Sequence, residues 1–261
     1  MLEKFKDKYN DIVIITAGPS LKKVDMKRLE KFCNGKLVVC VKQTIKYVSF
    51  SPDIHLLNDC NLERYNYVNK NVLRIMVKSP SFFSFTPKYM FDVLFKIDKK
   101  TCHPKKSLAI TRDFKKWEDL KNRNCSWGPG IMHELGIFLP KYLNCKNVYF
   151  VGWDIGSPTS NVINRFYETN YIRNFFKEHV IKFNLKFYNN VYVKLENCIR
   201  FLLFLFKLPI MLNVPGITDN ESIMISASTK DLHDYFILNG IKCYVISDSS
   251  MLSSDYQRFT I

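Results

Sequence analysis

The stretch "IVIITAGPSLKKVD", residues 12–25, changes character twice within fourteen positions. Ile12, Val13, Ile14 and Ile15 form a short β-branched run that reads as a buried strand. Gly18-Pro19-Ser20 then breaks the chain, and a charged, helix-like segment follows. A strand that ends in a glycine turn before a helix leaves backbone N–H groups at its tip, where an anionic ligand can be held.

Working outward, runs of the same kind recur: "KLVVCV" at 36–41, "IHLL" at 54–57, "VLRIMV" at 72–77, "VYFV" at 148–151 and "KCYVI" at 242–246. Short β-branched runs separated by helix-sized segments predict a mostly parallel sheet flanked by helices, an α/β fold. In "MHELGIFLPKYL", residues 132–143, Met132, Leu135, Leu139 and Leu143 fall near helical spacing, which predicts a helix feeding the "NVYFVGWD" strand. "TKDLHDYFILNGI" predicts a late helix stopped by Gly240 ahead of the last strand.

This division gives an α/β core over 1–155 and a completing helix and strand over 218–261. Residues 156–217 are aromatic and basic, with an amphipathic helix expected around 171–183, and predict a small helical lid or an acceptor- or membrane-facing lobe. The most apolar tract, "IRFLLFLFKLPIMLNVPGI" at 199–217, is broken by Arg200, Lys207 and Pro209 before it reaches the roughly 20 clean residues a membrane span needs. Buried core and a monotopic membrane surface are both open for it.

The chain has 261 residues, 47% of them hydrophobic, enough for a substantial core. Its 39 Lys and Arg against 24 Asp and Glu give a net charge of +15, which favours a polyanionic partner: nucleic acid, an anionic membrane or a phosphorylated substrate. The basic residues are spread along the chain rather than interleaved with aromatics on one element, so no specific nucleic acid is expected. Eight cysteines without a C-x-x-C pair or zinc spacing predict reduced cytosolic thiols and no metal site. The charged start "MLEKFKDKYND" lacks an apolar signal core, so a cytoplasmic protein is expected, peripheral to the inner membrane face if the aromatic tract is exposed.

Ligands of open α/β sheets sit outside the carboxyl ends of the strands. The expected strand ends bring Gly18, Pro19 and Ser20, then Lys42 and Gln43, then Asn58 and Asp59, then Gly152, Trp153 and Asp154 to one rim. Lys42 suits a phosphate, Asn58 a base or ribose, and Asp154 either a ribose hydroxyl or a helix N-terminus. No Walker loop and no G-x-G-x-x-G occurs, which disfavours kinases and dehydrogenases.

The order "TAGPSLKKVD", "CVKQT", "LLNDCN", "GPGIMHELGIFL", "VYFVGWD" resembles that of the bacterial sialyltransferases of glycosyltransferase family 42 and the wider group around them. That group includes flagellin nonulosonate transferases and a pterin-pyrophosphokinase-like branch. The resemblance covers about residues 11–154 and, more weakly, 226–246. It implies a Rossmann-like sheet of the GT-A variant kind and a CMP-activated sugar as donor substrate, with no metal and no further cofactor. It places Gly18, Pro19 and Ser20 on the donor nucleotide with Asn58, Gly130 and Asp154 nearby, and, by analogy, Tyr167 on the donor phosphate.

Three departures stand out: Ala17 where those enzymes have Asn, Lys42 for an Asn on the second rim, and Pro129 for a Ser before Gly130. Their catalytic histidine has no counterpart, the region "SIMISASTKDLHDY" offering only Ser226 nearby and His233 further on, on an expected helix. Asp59, Asp154 and His133 are the candidate base or nucleophile. The expected function is transfer of a nonulosonic or Kdo-type sugar to a bacterial surface glycan, free or lipid-linked, with an anionic membrane surface and a second copy of the chain as further candidate partners. A pterin-diphosphokinase-like enzyme and a basic nucleic-acid-binding protein are the alternatives.

Overall fold

The computed structural model of the chain describes residues 1–58, 71–78, 91–97, 114, 125–126, 135–154, 219–246 and 252–261. The six apolar runs all become strands: β1 (Asp11–Ile15), β2 (Leu37–Val41), β3 (Ile54–Asn58), β4 (Leu73–Lys78), β7 (Asn147–Val151) and β8 (Lys242–Ile246). Three strands join them without having been expected: β5 (Val93–Ile97), β6 (Cys125–Ser126) and β9 (Gln257–Arg258). The nine form one sheet in the order β6-β5-β4-β3-β2-β1-β7-β8-β9.

Every pair of neighbouring strands is parallel, from β5 beside β6 to β8 beside β9. The sheet is therefore wholly parallel among the described residues, where a mostly parallel one was expected, and this is a Rossmann-like α/β fold. Parallel strands are covered on both faces, which is why β1 and β2 read as unbroken apolar runs rather than alternating ones. Ile12, Val13, Ile14 and Ile15 are all fully buried.

Alternate residues serve opposite faces. Val13, Ile15, Val38, Cys40 and Val151 pack under helix α1 (Met26–Cys33), which contributes Leu29 and Cys33. Ile12, Ile14, Val39, Ile54, Leu56, Val148, Phe150 and Val245 pack against residues 135–143 and against helix α3 (Asp219–Leu238), which contributes Leu232 and Phe236. Each such side chain withdrawn from water stabilises the fold by roughly 1.5–3 kcal/mol.

The helix ends follow local chemistry. Asp25 caps α1, its carboxylate accepting the N–H groups of Lys27 at 2.8 Å and Arg28 at 3.3 Å. Gly240 does stop α3: it takes φ +70°, its N–H reaches the Ile237 carbonyl, and Ile241 N–H reaches the Phe236 carbonyl at 2.9 Å. That is a Schellman ending, with Ile241 and Phe236 in one apolar cluster.

The helix expected over 132–143 is shorter where it is described. Only α2 (Leu139–Tyr142) is α-helical, and Pro140, lacking an N–H, sits in its first turn as proline does where a helix begins. Residues 132–134 lie outside the described residues, as do the expected lobe at 156–217 and the tract at 199–217. Among the described residues no helix is long and apolar enough to cross a membrane.

Candidate functional site

β1 is the pivot of the sheet. The chain from β1 to β6 advances in one direction, and β7, β8 and β9 are laid down on the other side of β1. The β1/β7 boundary is thus the topological switch point, the place where open α/β sheets hold their ligands. Because all strands are parallel, the carboxyl ends of β1, β2, β3, β7 and β8 lie on one rim, and the backbone positions of Ser20, Lys42, Asn58 and Asp154 follow those ends.

At the switch point the two strand ends are sewn together. The register pairs Ile15 with Val151. Beyond it Thr16 N–H donates to the Val151 carbonyl at 2.8 Å, and Gly18 N–H donates to the Gly152 carbonyl at 2.8 Å. The Thr16 hydroxyl donates to the same Gly152 carbonyl. Gly152 N–H in turn donates to the Ile246 carbonyl at 3.0 Å, tying in β8.

The next residue pair completes the join. The Asp154 carboxylate accepts Ser20 N–H at 2.6 Å on Oδ2 and the Ser20 hydroxyl at 2.8 Å on Oδ1. Hydrogen bonds to a carboxylate run short, and these do. Two glycines make the approach feasible. A Cβ on Gly18 would lie 2.3 Å from the Gly152 carbonyl oxygen and 2.5 Å from Asp154 Oδ2. Gly152 has φ +68°, and its Cβ would lie 2.5 Å from the Thr16 carbonyl oxygen.

This geometry corrects the first reading of the turn. Its amides are not free for an outside anion: Gly18 N–H is taken by Gly152, Ser20 N–H by Asp154, and Leu21 N–H by the Gly18 carbonyl at 3.1 Å, while Pro19 has none. The anion at the turn is the protein's own Asp154. Of the two roles open to Asp154 in the sequence, the described contacts are those of a group that fixes the start of the short 3-10 helix Pro19–Lys23.

β2 ends differently. Lys42 opens a second 3-10 helix, Lys42–Lys46, in the left-handed conformation with φ 55°. His55, fully buried on β3, places Nε2 at 2.7 Å from the Lys42 carbonyl oxygen. A carbonyl only accepts, so Nε2 carries the proton. Burial, with the Arg74 cation adding to it against the opposing effect of this hydrogen bond, lowers the His55 pKa to about 4, leaving the ring neutral at physiological pH. The Thr44 hydroxyl lies 2.8 Å from the Val41 carbonyl and 3.2 Å from that of Ile15, bridging the ends of β2 and β1.

The structure therefore brings Ser20 and Asp154 into direct contact through Gly18 and Gly152, with Lys42 at the end of the strand next to β1. Trp153 is turned inward: it is buried, its ring centroid 4.8 Å from that of Phe150, and it packs in the core instead of lining the rim. Gln43 is likewise buried. Asn58 is the last residue of β3, paired with Val77. Asp59, Gly130, His133 and Tyr167 lie outside the described residues. His233 is on α3 as expected, edge-on to Tyr256 with centroids 5.3 Å apart.

Sequence reasoning missed Thr16, Thr44 and His55. The one available signal was an ionisable residue inside the apolar run "IHLL". Cys33, Cys40, Cys145 and Cys243 are free and buried, and burial lifts the first three to about 12 and Cys243 upward as well, which disfavours the reactive thiolate. Among the described residues no group of three or more His, Cys, Asp or Glu side chains is placed to hold a metal ion.

The chain matches no protein-family model and no curated sequence. Among solved structures, the MAf glycosyltransferase from Magnetospirillum magneticum AMB-1 aligns with it at 11% identity and a TM-score of 0.49, over 97% of this chain and 34% of the other. The chain thus spans about a third of that protein's length.

Proposed function

We propose that the chain is a glycosyltransferase whose donor is a CMP-activated sugar of the nonulosonic or Kdo type and whose acceptor is a bacterial surface glycan, free or lipid-linked. The observation that carries the reading is the β1/β7 switch point, where the GPS turn and the Gly-Trp-Asp motif meet through Ser20 and Asp154. Those are two of the motifs on which the resemblance to family 42 rests, and the switch point is where such a sheet receives a nucleotide.

In this reading Gly18, Pro19 and Ser20 present a rigid backbone wall to the nucleotide, and Asp154 holds that wall in place. The departing phosphate gains charge as the glycosidic bond breaks, and cations or hydrogen-bond donors must meet it. Lys42 is the rim residue suited to that task, with Tyr167 from the lobe as the second candidate. Asn58 and Gly130 contribute to the nucleoside side. With Asp154 committed to Ser20, the group that takes the acceptor proton is sought in Asp59 and His133.

The test is calorimetric titration with CMP, with and without EDTA, beside ATP, UDP and GDP. Selective CMP binding that EDTA leaves unchanged is the expected result. ATP binding that requires a divalent metal, without CMP binding, would move the protein to the pterin-diphosphokinase-like reading.

A further inference from the structure

Three described residues other than glycine adopt the left-handed conformation: Asp7, Lys42 and Asn144. Asp and Asn are enriched in it because their short polar side chains bond the nearby backbone, whereas lysine is not a residue type that favours it. Asp7 and Asn144 in fact bond each other, Asn144 Nδ2 to Asp7 Oδ1 at 2.7 Å. Lys42 stands apart, both in residue type and in lying at the sheet's carboxyl rim, directly after β2.

Strain of this kind persists only where the surroundings over-determine it. Around Lys42 they do. From within the sheet His55 donates to its carbonyl at 2.7 Å, and the register that sets His55 beside Cys40 puts that ring under the end of β2. On either side of it, the Thr44 hydroxyl takes up the Val41 and Ile15 carbonyls. Glycine or asparagine would fit the backbone with less strain, but neither would bring a cation to the rim. The turn's amides being spent on Asp154 and Gly152, an anionic ligand at this rim needs such a side-chain cation.

We infer that His55 is a positioning residue: its Nε2–H, donated to the Lys42 carbonyl, holds Lys42 left-handed and thereby sets where the lysine ammonium meets the phosphate of a nucleotide at the rim. The inference rests on the reading of the rim as a nucleotide site. It adds a buried, neutral histidine that touches no ligand to the groups on which binding depends.

The experiment is a pair of mutant cycles on the full chain, using His55→Leu, His55→Gln, Lys42→Gly and the double variant His55→Leu/Lys42→Gly. In urea unfolding, Lys42→Gly is expected to raise the folding equilibrium constant by about tenfold, the strain of one left-handed residue. That gain vanishes in the His55→Leu background, where lysine is no longer held. In CMP titration, Lys42→Gly and His55→Leu each weaken binding by about tenfold, the loss of one charge-assisted contact, and the double variant is no weaker than either. His55→Gln, which keeps a donor near the Nε2 position, restores most of the affinity.

Additive effects in both cycles, or unchanged CMP affinity in His55→Leu, would overturn the inference. If the natural chain binds no CMP, the donor reading fails by itself and the unfolding cycle decides the holding role: coupling supports it and additivity overturns it.

Discussion

Asp154→Ala is the sharpest perturbation of the switch point. The carboxylate answers two donors of Ser20, the backbone N–H at 2.6 Å and the hydroxyl at 2.8 Å, and Ser20 is only 3% exposed, so water is poorly placed to replace it. Hydrogen bonds to charged groups are each worth about 1.5–3 kcal/mol, and leaving their buried donors unanswered forfeits most of that. Truncation is expected to lower stability by about 3 kcal/mol at pH 7. Asp154→Asn, which keeps one acceptor but loses the charge, should lower it by about half as much.

Urea unfolding by linear extrapolation measures both. The decisive arm is chemical rescue. If the carboxylate is the anion of the turn, then formate, against a chloride control of equal ionic strength, should recover stability in Asp154→Ala and leave the natural chain unchanged. A loss of less than about 1 kcal/mol, below the range for even one such bond, or formate acting equally on both proteins, would refute the reasoning.

Two further outcomes follow from the same geometry. Gly18→Ala should destabilise by about 2–3 kcal/mol, because its Cβ would sit 2.3 Å from the Gly152 carbonyl oxygen and the two strand ends would have to part; urea unfolding measures the stability and CMP titration the site. His55, lowered from 6.5 to about 4 by burial, makes the unfolded chain the better proton binder between those values. Its contribution is fully present above pH 6.5 and is lost as pH falls toward 4, a difference of about 3 kcal/mol. Unfolding midpoints from pH 7 to 4 should therefore fall more steeply for the natural chain than for His55→Gln.

The fold was legible wherever a strand lies deep in the sheet. β1, β2, β3 and, Arg74 apart, β4 announce themselves because burial on both faces demands apolar side chains in sequence, whereas β7 and β8, with Tyr149, Tyr244 and Ile246 half-buried, are read from their β-branched and aromatic content. β5 was missed although "VLFKI" carries as many apolar residues as "KCYVI"; Val93 and Leu94 are only half-buried there. β6 and β9 are two-residue edge strands, too short to carry any period. The candidate site could be read as an order of motifs but not as a set of contacts. Whether the amides of Gly18 and Ser20 are free depends on the pairing of Ile15 with Val151, which no local pattern encodes. The role of His55 was hidden for the same reason, since it follows from the backbone of a lysine on the neighbouring strand.

The insertion of β7 beside β1 has a temporal consequence. β2 follows β1 closely in the chain and can reach it soon after synthesis, but the partner of the other edge of β1 arrives about 135 residues later, the separation between Thr16 and Val151. At about 5–20 residues per second that is roughly 7–27 s during which a strand of four buried aliphatic residues has one unpaired edge. A nascent chain of this topology leaves one edge of that buried strand open throughout this interval, and its yield in a cell should depend on what shields that edge until residue 151 has left the ribosome.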